Sequence, residues 1–163
     1  MKNKNILFIC QAAMIAALYV VLTFIANALG LANYAIQVRF SEALTILPYF
    51  TSAAIPGLTI GCLLSNWLTG CALTDIIFGT AATLIGALLT YALRRFKWLA
   101  PLPPIAANTI IVPWVLRYAY GIDDAIPFLM LTVGYGELIS AGILGMFLLF
   151  SLERFGKNIF KVN

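Results

Sequence analysis

Residues 6–29 carry no charge and are mainly apolar, and a run of that length can cross a lipid bilayer as a helix. Further long apolar segments follow it, separated by short clusters of basic residues, proline and glycine. Such a chain has few ways to fold in water. A soluble domain carries about a quarter charged residues; here the charged share is 10% against 63% hydrophobic. The expectation is an all-α integral membrane protein, one transmembrane domain over 1–163.

The net charge of +4 could suggest nucleic acid, but the positions of the charges argue otherwise. Lys2 and Lys4 precede the first run. Arg94, Arg95 and Lys97 sit between apolar segments, and Arg154, Lys157 and Lys161 close the chain. Of the basic residues only Arg39 and Arg117 fall elsewhere. That bias is the signature of cytoplasmic loops, so both termini are expected inside and no nucleic-acid partner is implied. Ala26-Asn27-Ala28 resembles a signal-peptide cleavage site, but the preceding run is longer than the usual apolar core of such a peptide.

Hydropathy and turn signals predict six helices, over about 6–29, 41–50, 55–69, 75–95, 104–118 and 127–152. Ser41 suits the N-cap of the second. Residues 30–40, with Asn33, Gln37 and Arg39, read as an outer loop, as do 70–72 and 119–125. The second and third helices are short for full spans, and short, proline-interrupted segments often border a cavity in transport proteins. Small-residue pairs at i,i+4 (Ala12/Ala16, Ala13/Ala17, Gly57/Gly61, Ala82/Gly86 and Ala141/Gly145) allow close helix approach where lipid gives little hydrophobic drive.

Ionisable groups inside a membrane are costly, so each is a functional candidate. Glu137 falls about eleven residues into the last helix, near mid-depth, with Asn108 at comparable depth on the fifth. Glu42 and Asp75 lie near the outer ends of their helices, where the helix dipole also favours them, and Arg39 has the spacing to pair with Glu42. Asn66, Trp67 and Tyr118 lie toward the outer side, although the aromatics also fit an interfacial belt. Asp123 and Asp124 read as solvated loop charges. Cys10, Cys62 and Cys71 match no metal-binding spacing, histidine is absent, and there is no phosphate-binding loop. These features point away from an enzyme and toward an outward-facing cavity for a small polar molecule. Three carboxylates against two outer arginines favour a donor-rich or cationic one.

The stretch 36–91, containing RFSEAL (39–44), together with LAPLPPIAANTIIV (99–112) and VGYGELISAGILG (133–145), resembles the queuosine-precursor transporter family, the QueT-type S components of energy-coupling factor transporters. The resemblance implies a six-helix membrane subunit in a prokaryotic plasma membrane. Such a subunit captures its substrate from outside and docks on a membrane coupling protein driven by two cytoplasmic ATPases, which use the ATP; this chain itself binds no cofactor. It also implies docking through Ala-x-x-x-Ala on the first helix, at Ala12/Ala16 or Ala13/Ala17. The implied substrate is a 7-deazaguanine, such as the aminomethyl form. On that basis Glu137 would accept the guanine edge, Asn108 or Asn66 the remaining polar atoms, Glu42 or Asp75 the ammonium, and Trp67 or Tyr118 would stack. An S component for another vitamin or nucleobase, a stand-alone proton-coupled carrier, and a ligand-free assembly subunit are the alternatives.

Overall fold

The computed structural model describes residues 2–31 and 37–155. Asn33 of the expected outer loop, and Lys157 and Lys161 of the C-terminal basic group, lie outside the described residues. Among the described residues the chain is all-helical. Helix α1 spans Lys2–Ala28, α2 Ala54–Leu68, α3 Leu73–Ala92, α4 Leu102–Ala119, α5 Ile126–Glu137 and α6 Gly145–Phe155. A 3₁₀ helix, Phe40–Tyr49, joins α1 to α2, and a π-helical segment, Leu138–Leu144, fuses α5 to α6. Four stretches are long and apolar enough to cross a membrane: Lys4–Ala28, Leu73–Ala92, Lys97–Ala119 and Ile126–Arg154. Helix α2 is apolar but shorter.

The second predicted helix departs most from expectation. It is wound as 3₁₀ through ten residues, where runs beyond three or four are uncommon. Pro48 gives a reason: in an α-helix its ring would meet the carbonyl of Leu44 and one backbone bond would be lost. Ser41 is not the N-cap; Arg39 holds that position without a side-chain cap. Ser41 instead accepts a hydrogen bond from Thr23 of α1 at 2.9 Å. Seven of the ten residues are buried, including Glu42 and Thr45, because the element runs into the bundle and packs on α1, α3, α6 and the π segment.

Close packing follows the small residues. A Cβ on Gly57 would lie 2.8 Å from the Ala12 carbonyl oxygen, and one on Gly61 would lie 2.7 Å from Tyr19 Cβ. Ala12 and Ala16 therefore face α2, while Ala13 and Ala17, one residue on, are exposed on the outside of α1. At one end of the bundle Lys97 forms an ion pair with Glu153 at 3.2 Å, and Tyr49 donates to the same carboxylate. The opposite end is open, and the candidate site lies there.

Candidate functional site

Two adjoining cavities lie between α1, the 3₁₀ helix, α2, α3, α4 and α5. The outer one, a vestibule of about 300 Å³, is lined by Thr23, Asn27, Asn66, Asp75 and Tyr120 among others. That is the lower end of the range for small-molecule pockets. The inner one is a recess of about 30 Å³ reaching Glu42, Cys62, Asn108 and Glu137. Gln37, Arg39, Asp75 and Val112 line both, so the two cavities meet at these residues.

The walls are built by local geometry. Residues 37–39 run hard against the fused last helix: a Cβ on Gly136 would sit 2.2 Å from the Gln37 carbonyl oxygen, and the Arg39 backbone N–H donates to Ser140 Oγ at 3.1 Å. Ser140 lies in the π segment that begins directly after Glu137, and π turns within helices are frequent at functional sites. Glu42 is carried inward by the 3₁₀ helix. On α3, Asp75 occupies the first turn, at the mouth.

Inside the recess each glutamate is half satisfied. Tyr19 of α1 donates to Glu42 Oε1, and Asn108 Nδ2 donates to Glu137 Oε1 at 2.9 Å. The second oxygen of each, Glu42 Oε2 and Glu137 Oε2, is buried with no partner among the described residues. Buried polar atoms are nearly always hydrogen-bonded, so these two oxygens, both on residues that line one small cavity, can accept from a donor placed there. At the mouth Tyr120 donates to Asp75 Oδ2 at 3.0 Å and accepts from the Ala72 N–H at 3.2 Å. Partial burial, opposed by that N–H and reinforced by the Asp75 charge, pushes the phenol above its ordinary range.

The structure gathers most of the sequence candidates. Glu137, Asn108, Glu42, Asp75, Asn66 and Arg39 all line one cavity or the other. The expected Arg39–Glu42 ion pair does not form among the described residues; the Arg39 guanidinium donates instead to Gln37 Oε1 at 3.4 Å. Trp67 and Tyr118 stand outside. They are 66% and 77% exposed, and neither lines the vestibule or the recess. Successive residues on a helix project about 100° apart; Ser65 and Asn66 share the inward side and Trp67 is carried past it. Tyr118 stacks on Trp114 with ring centroids 6.2 Å apart, in an apolar groove on the outer surface of α3 and α4. The inward aromatics are Tyr120, turned back beyond the end of α4 just before Gly121 at φ +65°, and Tyr19. A tyrosine in the middle of the first apolar run, carrying a hydroxyl that needs a partner, was the available signal for Tyr19.

Comparison with known proteins bears on what the cavity serves. A family described as QueT transporter matches residues 9–154. The Queuosine precursor transporter QueT of Lactococcus lactis subsp. cremoris (strain MG1363) is 37% identical over 98 residues. That match spans 60% of this chain and 57% of the relative, so it covers little more than half of the relative's length. No solved structure matches.

Proposed function

Since this chain belongs to the QueT transporter family, and is thus a transporter and not an enzyme, we propose that it is the membrane-embedded substrate-binding subunit of an ATP-driven importer for a queuosine precursor. The substrate class is a 7-deazaguanine, entering from the open end of the bundle. One observation carries this reading: Glu42 and Glu137, each with an oxygen lacking a partner among the described residues, line one recess together with Asp75. A guanine-like edge offers two adjacent donors that one carboxylate accepts together, a charge-assisted pairing stronger than a neutral one. An ammonium arm uses another. The purified chain is expected to bind 7-aminomethyl-7-deazaguanine in a thermal-shift panel, and mass spectrometry of ligand released from it should find the same class. A shift with riboflavin or thiamine and none with any deazaguanine would refute the assignment.

The power source is a separate module: a membrane coupling protein and two cytoplasmic ATPases, with this chain in a prokaryotic plasma membrane, its basic end and both termini inside. Ala13 and Ala17 support the docking register, because Ala12 and Ala16 are already engaged by α2 while Ala13 and Ala17 face outward. Enlarging exposed small residues spares the bundle itself. Ala13→Leu with Ala17→Leu should leave ligand affinity unchanged and cut uptake by cells co-expressing the module by about tenfold or more, the cost of a clash of about 1.4 kcal/mol or above. Uptake by liposomes holding only this chain and a proton gradient would show that no such module is required.

A further inference from the structure

We propose that the two cavities divide the ligand between them: a small cationic arm enters the recess between Glu42 and Glu137, while the flat ring stays in the vestibule with its donor edge on Asp75. This rests on the deazaguanine reading above and adds the orientation, which is the reverse of that expected from sequence for Glu137.

Size is the first reason. The recess, about 30 Å³, is large enough for a water-sized group. That is room for an ammonium or aminomethyl group and not for a bicyclic ring. The vestibule, about 300 Å³, has room for the ring. The Gln37–Arg39 segment at the junction is fixed on the last helix by the Gly136 contact and the Ser140 bond, so the passage is held narrow: an arm can enter, and the ring edge reaches Glu137 only if that segment lifts.

Hydrogen-bond need is the second. Glu42 is 2% exposed and Glu137 9%, and both leave Oε2 unpartnered among the described residues. An ammonium brings several donors from one point and can serve two carboxylates approaching from different helices. A planar amidine edge presents its donors side by side and suits one carboxylate. Charge is the third. Arg39 also lines the recess. Three acidic side chains, Glu42, Glu137 and Asp75, line the recess against that one arginine, so an ammonium moves its charge toward balance. Burying charge is tolerable when it is balanced and hydrogen-bonded. At the mouth Tyr120 steadies Asp75 through Oδ2, and the buried Asn66 amide lines the same vestibule.

The test is calorimetric titration of the full chain in detergent with two probes, 7-aminomethyl-7-deazaguanine and 7-deazaguanine without the arm. The wild-type protein should bind the aminomethyl compound at least about tenfold more tightly, as expected for one charge-assisted hydrogen bond. Glu42→Gln and Glu137→Gln should each lose about tenfold to a hundredfold on the aminomethyl compound and less than about threefold on the other. Asp75→Asn should weaken both. Binding of the armless probe shows that a variant is folded, and the wild-type comparison decides the matter if one is not. Equal wild-type affinity for the two probes, or equal losses on both in Glu137→Gln, overturns the orientation and leaves the substrate class standing. If wild type binds neither probe, the substrate class falls and the orientation with it.

Discussion

Gly136→Val is expected to weaken deazaguanine binding roughly a hundredfold while leaving the helix content of the protein unchanged. The Cβ of any residue here would meet the Gln37 carbonyl oxygen at 2.2 Å and the Gln37 carbonyl carbon at 3.1 Å. Both are backbone atoms, so no rotamer change relieves the clash and the 37–39 segment must lift away. With it go the Arg39 N–H bond to Ser140 and the position of Gln37 and Arg39 in both cavities. Losing two polar contacts to a buried ligand, at about 1.5 kcal/mol each, amounts to roughly a hundredfold in affinity. Titration alongside circular dichroism checks it. Retained affinity would mean that the segment takes no part in the site, and lost helicity would mean that it holds the fold instead.

Gly61→Leu should give the largest loss of stability. The new side chain would start 2.7 Å from Tyr19 Cβ and 3.1 Å from the Ala16 Cα, so α1 and α2 must separate. Overpacking against backbone costs typically 1–3 kcal/mol and occasionally more. At about 3 kcal/mol the midpoint of thermal unfolding in detergent should fall by roughly 6–12 °C for a domain of this size. The same displacement moves Tyr19 off Glu42, so the variant should also bind ligand more weakly at temperatures where it remains folded. An unchanged midpoint would show that α1 packs elsewhere. Gly70→Ala offers a contrast: a Cβ there meets nothing within 4 Å, and only the strain of a positive φ remains.

Helix positions were readable because long apolar runs and basic clusters are one-dimensional signals. The α2 boundaries fall within one residue of those expected, and α4 begins two residues early at Leu102 because prolines are tolerated in a helix's first turn. The inward carboxylates were readable for a related reason: a charge in a membrane segment is costly enough to mark a site by itself. What the sequence hid depends on rotation about helix axes and on backbone winding. Asn66 and Trp67 are adjacent in sequence, yet one lines the vestibule and the other is exposed. Tyr118 and Tyr120 differ by two residues and by the end of a helix. The 3₁₀ winding of 40–49 arises from packing around a buried proline, and propensity alone does not reveal it. Gln37 looked like an ordinary polar loop residue; only its seat on Gly136 makes it part of a wall.

The π segment solves a problem of phase. Leu129, Val133, Glu137, Ala141, Gly145 and Leu149 are all buried, and each is four residues from the next. On a uniform α-helix such a row creeps around the axis by about 40° per step, which would swing Leu149 to nearly the opposite side from Leu129. The wider turns after Glu137 take back part of that creep, so the row that faces the cavity at Glu137 still faces Ile46 and Ala100 at Leu149. Removing a single residue between Leu138 and Leu144 would let the segment relax to ordinary winding, and six residues at about 100° each turn nearly as far as seven at the wider pitch, so everything beyond would stay close to its present phase. The residue that tolerates deletion there is thus the one the wider winding absorbs, whereas a deletion in the α-helical turns on either side would have to rotate either Glu137 out of the recess or Leu149 out of the core.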